Sequence, residues 1–352
     1  MAGCALAAFT SAAYAAEPQA TDPDFTALAD GIRHPTQGCD GAVVLTPRPG
    51  TQFADPLGSH PESATSFFAK AASLHVHWAS TVTCTHTGLT HRRLPDPNGP
   101  DPDTTVQVQS AYSGYQIDNL SHYVQSGWTV PTVVNPPIGY RYSTTGYASS
   151  TWAGMGGGHY HYTSDLPLIQ AGTTQKLSAS NVATYYFWYE IVGGSDDTYD
   201  EVRPVGAPAA HAGDDVGTVS IWFHDGSTEF GLCNFSSGGC VNFLRDCLMG
   251  GHCSEEPGAA TTEWIVERPG GYGAAPLADF GEVNFYNGFW CSDYVEGEPV
   301  DCHAISVPGL TSLTAYHLRE YVFGSYQILA EPGGITSGNS FTDIYNLPDN
   351  HQ

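Results

Sequence analysis

The stretch TTEWIVERPGG, residues 261–271, carries two acids four residues apart in a run that alternates like a strand. A period of two sets Glu263, Ile265 and Glu267 on one face and Trp264 and Val266 on the other. Carboxylates gathered on one face can do acid–base chemistry. The plain alternative is an outer face turned to water, because antiparallel strands often keep one side wet. Histidines offer a second chemistry. LHVHW (74–78) and GGGHYHYTS (156–164) each put two imidazoles on one strand face, which a metal site can use. Both stretches read as structural strands, and no metal or other cofactor is expected.

The elements that must position these groups are short and many. The 352 residues hold 40 glycines, 24 prolines and 20 tyrosines, and long amphipathic helical patterns are scarce. From about residue 109, alternating runs recur every 10–25 residues with Gly, Pro, Asp or Asn between them: TVQVQSAYSGYQI, YVQSGWTVPTVV, ATYYFWYEIV, VGTVSIWFHDG, TEWIVERP and FGEVNFYNGF. This spacing predicts an all-β fold, an antiparallel sandwich of two packed sheets over residues 109–350. LTAYHLREYVFG (313–324) fits a strand or a short helix. LPDPNGPDPDTT (94–105) has the composition of a linker, which sets residues 17–108 apart as an N-terminal, propeptide-like extension.

Charge and cysteines narrow the setting. Thirty-six acids face eleven lysines and arginines, and the formal net charge of −25 disfavours nucleic acid and anionic membranes as partners. Acid conditions relieve that self-repulsion by protonating carboxylates. Residues 1–16 are small and apolar and resemble the later part of a secretory signal, with Ala13-Tyr14-Ala15 as a cleavage site, although a basic start is missing. No later stretch is long and apolar enough to span a membrane. Eight further cysteines, an even number, read as disulfides in an exported chain, with Cys233, Cys240, Cys247 and Cys253 in one stapled loop. Asn119 and Asn234 head glycosylation sequons. The chain is expected to be secreted and monomeric.

Seven motifs occur in a telling order: YSGY (112–115), GWTVPTV (127–133), TWAGMGG (151–157), PLIQAG (167–172), FWYEIV (187–192), TEWIVERP (262–269) and PLADFGEVNFYN (276–287). In that order they resemble the strand motifs of the glutamic peptidases, or eqolisins, over roughly residues 109–290. The resemblance implies a concanavalin-like sandwich of two curved antiparallel sheets with an active site on a concave face. It implies a polypeptide substrate and a catalytic pair, Gln170 from LIQAG and Glu267 as the second acid of EWIVE. Trp152, Trp188 and Glu190 follow as substrate-binding residues.

The residue types suit that chemistry. A carboxylate with a pKa near ~4 serves as base and then as acid in mildly acidic solution, where histidine is already protonated. An amide can hold water through its carbonyl and donate N–H to an oxyanion without titrating. The chain departs from the family at three acids: GMGGG stands where a GIDG-like turn is usual, Thr174 replaces an aspartate after the glutamine, and a tyrosine replaces the aspartate before WYE. The competing reading is a non-catalytic sandwich that binds carbohydrate or a surface partner on the same face.

Overall fold

The computed structural model describes residues 42–45, 67–85, 106–109, 111–137, 143–156, 168–192, 202–224, 227–246, 261–269, 276–295, 298–305, 313–322, 325–337 and 339–346. The signal-like residues 1–16, the His159 and His161 pair, Cys39, Cys247, Cys253 and the linker at 94–105 lie outside them.

The first elements are β1 (Val43–Val44), α1 (Phe67–Ser73), β2 (His77–Trp78), β3 (Val106–Gln109), β4 (Tyr112–Asp118) and β5 (Tyr123–Thr129). Then come β6 (Gly146–Gly156), β7 (Leu168–Ser178), β8 (Ala183–Val192), β9 (Arg203–Val205), β10 (Asp215–Trp222), β11 (Ser227–Asn234) and β12 (Gly239–Asp246). The last are β13 (Thr261–Glu267), β14 (Glu282–Val295), β15 (Glu298–Ala304), β16 (Leu313–Val322), β17 (Ser325–Pro332) and β18 (Phe341–Tyr345).

Pairing builds two layers. One runs β16–β4–β13–β6–β7–β8–β9, and the other runs β18–β14–β5–β10–β11–β12. The hairpins of β16, β17 and β18 carry the chain from one layer to the other. The fold is therefore the predicted sandwich. Residues 313–322 of the ambiguous run form strand β16, whose Leu313, Thr314, Ala315 and Tyr316 pair with β4 rather than closing a helical turn.

The alternation read from the sequence holds at the core. Trp264 and Val266 of β13 lie between the layers with Tyr115, Met155, Ile169 and Phe187 on one side and Trp128, Phe230, Phe243 and Phe285 on the other. Two of the large indoles that meet there are hydrogen-bonded. The Trp264 indole donates to the Gln125 carbonyl at 3.1 Å, and Trp128 donates across the layers to Thr173 Oγ1 at 3.0 Å. Tyr189 of β8 touches Phe230 and Phe243 of the opposite layer, each at 5.0 Å between ring centroids.

Described parts of the N-terminal extension are built into this sandwich. β1 pairs antiparallel with β12, while β2 and β3 add parallel pairings to β12 and β16. α1 lays Phe67, Phe68 and Ala71 on the outer side of the second layer, against Val219, Ile221 and Phe235. Lys70 at its end binds Asp215 at 2.8 Å. The His75–His77 motif is not one strand face. His75 sits in the turn after α1 with φ 52°, its Nδ1 near the Ala72 carbonyl, and only His77 enters β2. Disulfides Cys233–Cys240 and Cys291–Cys302 staple β11 to β12 and β14 to β15. Asn234 is fully buried and donates to Ala209 O and Asp214, so this sequon is closed to a glycan in the folded protein.

Candidate active site

The face of the first layer that turns away from the core carries every candidate residue. Because paired strands stack side chains in rows, the register gives their order directly. One row reads Gln116 (β4), Glu263 (β13), Gly154 (β6), Gln170 (β7) and Glu190 (β8). The next, two residues along, reads Gly114, Ile265, Trp152, Gly172 and Trp188. The third reads Tyr112, Glu267, Ser150, Thr174 and Tyr186.

Gln170 and Glu263 thus flank one glycine in one row. They stand two strand spacings apart, roughly 9.6 Å between backbones, with no side chain between them. A side chain at Gly154 would fill that gap: its Cβ would lie 2.9 Å from the Ile169 carbonyl and 3.0 Å from Gln170 Cβ. Gly172 plays a similar part beside Trp152, where an added Cβ would stand 2.6 Å from the Trp152 Cβ.

Hydrogen bonds hold the polar members. Gln170 Nε2 donates to Glu190 Oε2 at 2.7 Å. At one end of the row, the Tyr316 hydroxyl donates to Gln116 Oε1 at 2.8 Å, and Thr261 Oγ1 donates to Glu263 Oε1 at 3.3 Å. In the third row Glu267 Oε2 accepts the Trp152 indole N–H at 2.8 Å, and the Ser150 and Thr174 hydroxyls share a 2.6 Å bond. Thr174, which replaces a family aspartate, therefore has a neutral hydroxyl partner. Burial pushes the Tyr186 hydroxyl above its usual pKa, and its bond with Thr174 opposes that rise.

The five residues named from the sequence all fall on this face, but the structure groups them differently. Gln170 and Glu190 bond to each other. Glu267 lies four residues along β13 from their row, roughly 13 Å at the strand rise. Glu263, the acid that the motif resemblance did not select, stands in the row itself. Alternation gives both acids the same face, and only the β13–β6–β7 register separates them. Trp152 and Trp188 are completely buried with Leu168, Val202, Ile265 and Tyr316, so neither is an open platform in this structure. Gln170, Glu190, Glu263 and Glu267 are also buried, at 0–5 % exposure, so the face is closed to bulk water as it stands.

Replacing Trp152 with phenylalanine keeps the ring but removes the donor to Glu267. The buried carboxyl group then loses a hydrogen bond, and stability is expected to fall by about 1–3 kcal/mol in denaturant titrations.

A model of the Peptidase A4 family matches residues 110–300, more than half of the chain. The chain belongs to that family. It is thus a peptidase of the glutamic type that the motif order suggested, and polypeptides are its substrate class. The Peptidase A4 match spans all three rows. Among solved structures, scytalido-glutamic peptidase with a transition state analog inhibitor is 19% identical, with 68% of this chain and 100% of that chain covered and a TM-score of 0.48. SCP-B in a complex with the tripeptide Ala-Ile-His is 20% identical, covering 68% and 100%, with a TM-score of 0.45. Aspergilloglutamic peptidase from Aspergillus niger is 22% identical, covering 57% and 99%, with a TM-score of 0.39. No curated protein matches the chain. Among the described residues, no helix is long and apolar enough to cross a membrane.

Proposed function

We propose that this peptidase is a secreted acid endopeptidase in which Gln170 and Glu263 act together on a water held above Gly154. The single observation that carries the reading is the register of one row: amide, glycine and carboxylate in order, with a second carboxylate, Glu190, bonded to the amide. Glu263 takes a proton from water as the water oxygen attacks the scissile carbonyl carbon. Gln170, oriented by Glu190, donates N–H to the oxyanion that forms. The tetrahedral intermediate collapses as Glu263 returns the proton to the leaving nitrogen, giving a carboxylic acid and an amine. No group other than substrate, water and these side chains enters the balance.

Glu267 has a supporting part in this scheme. Its bond from the Trp152 indole ties the third row to the second, and Trp152 in turn packs beside Gly172 and the Gln170 strand. The burial of Trp152 and Trp188 counts against a carbohydrate platform, which needs exposed rings. Burial also requires that the face open before an extended peptide can bind.

Protein digestion assayed from pH 2 to pH 7, with and without chelator and pepstatin, tests this function. Activity confined to acid and insensitive to both additives is the expected result. Activity that peaks at neutral pH, or that a chelator abolishes, overturns it, because a carboxylate loses its acid form and a metal enters the chemistry.

A further inference from the structure

We propose a divalent transition-metal site of the zinc class, formed by His122, His224 and Asp293 at one end of the second layer. It lies outside the catalytic face and outside both histidine pairs noticed in the sequence. The ligand atoms of these three residues all lie within 4.8 Å of one another, and the two imidazole rings are 4.6 Å apart.

Three separate parts of the fold bring them together. His122 immediately precedes β5 and is locked by its backbone: its N–H donates to the Cys291 carbonyl of β14 at 3.0 Å, and its carbonyl accepts from Trp222 of β10 at 2.8 Å. Its ring is buried, and Nδ1 sits 2.8 Å from the Trp222 carbonyl. A carbonyl can only accept, so Nδ1 carries the proton and Nε2 presents its lone pair. This is the arrangement by which a backbone oxygen orients a ligating histidine. His224 lies just past β10, in the turn toward β11. Asp293 lies on β14, two residues beyond the Cys291–Cys302 disulfide. His224 Nε2 and Asp293 Oδ1 are 2.7 Å apart, and both residues reach solvent.

Two imidazoles and one carboxylate are a borderline-soft donor set that suits zinc or its neighbours rather than calcium or magnesium. One buried, pre-oriented ligand and two accessible ones leave a fourth position for water and a path for the ion to enter. A bound ion would join β5, the β10–β11 turn and β14 at a single point. The plain alternative is a surface His224–Asp293 ion pair beside a structural His122.

The test uses the full chain, stripped by dialysis against a chelator and titrated near neutral pH with zinc chloride by calorimetry, and with cobalt(II) by visible absorption. One zinc per chain, a rise in melting temperature on binding and four-coordinate cobalt bands are expected. His224→Ala and Asp293→Asn alter exposed groups and should fold normally. Each should weaken zinc by more than the roughly 10–100-fold that loss of an outer partner costs. Acid peptidase activity should be unchanged in both. Absence of saturable binding, or binding that both variants retain because other histidines hold the ion, overturns the site.

Discussion

Gln170→Ala and Glu263→Gln are each expected to lower kcat/KM for protein substrates at acid pH by on the order of 100-fold or more, with the melting temperature of Glu263→Gln close to the parent and that of Gln170→Ala lowered by the lost donor to buried Glu190. The glutamine at 263 preserves size and hydrogen-bonding reach but cannot accept the proton of attacking water, so the loss falls on chemistry rather than packing. The alanine at 170 removes the amide that would face the oxyanion, and one such donor is worth about 100–1,000-fold in comparable sites. Neither residue belongs to the inter-layer core around Trp264. Because the two groups act on one intermediate, the double variant should lose little more than either single one. Unfolded variants would instead show lost near-ultraviolet signal alongside lost activity.

The fold itself is expected to be most stable in acid and to weaken steadily toward pH 8. Two buried carboxyls drive this. Burial raises Glu229 from the usual 4.5 to about 7, against the lowering effect of its bond from Asn242. Burial likewise raises Asp343 to about 8, although Ser113 donates to its Oδ1. Both groups keep a proton in the folded state over a range where the unfolded chain has released it. The folded state then binds more protons, and stability falls as pH rises. For Glu229 the favourable contribution is complete below about 4.5 and gone above about 7. For Asp343 the window runs from 3.8 to about 8. A tenfold difference in proton affinity between folded and unfolded chain corresponds to about 1.4 kcal/mol, so each carboxyl contributes a few kcal/mol. Denaturant unfolding at pH 4, 6 and 8 should show the decline. Glu229→Gln and Asp343→Asn, which retain the accepting oxygens, should flatten it, each over its own window. A stability that rises between pH 4 and pH 8 would contradict the assignment. This dependence suits a peptidase that works in acid, and it adds to the effect of the net charge of −25.

Much of the architecture was legible because its signals are local. Alternation in TTEWIVE assigns Trp264 and Val266 to the core, and spaced Gly, Pro, Asp and Asn mark most strand ends. α1 was not legible: its seven residues gain their stability by docking Phe67 and Phe68 on β10 and β5, a tertiary effect that no periodicity of that length reveals. The choice between Glu263 and Glu267 was not legible either. A period of two places them identically, and only pairing with β6 and β7, up to about 110 residues away, puts Glu263 in the Gln170 row. The fate of Trp152 and Trp188 depends in the same way on packing, because a row position does not say what covers it. His122, His224 and Asp293 come from three distant segments and carry no shared motif at all.

The most direct measurement compares kcat/KM of Glu263→Gln and Glu267→Gln side by side at the pH optimum. If the register sets the catalytic row, the first loses about 100-fold or more while the second keeps most of its turnover and loses chiefly stability. The reverse order, with Glu267→Gln inactive and Glu263→Gln near the parent, would contradict a catalytic row built across Gly154.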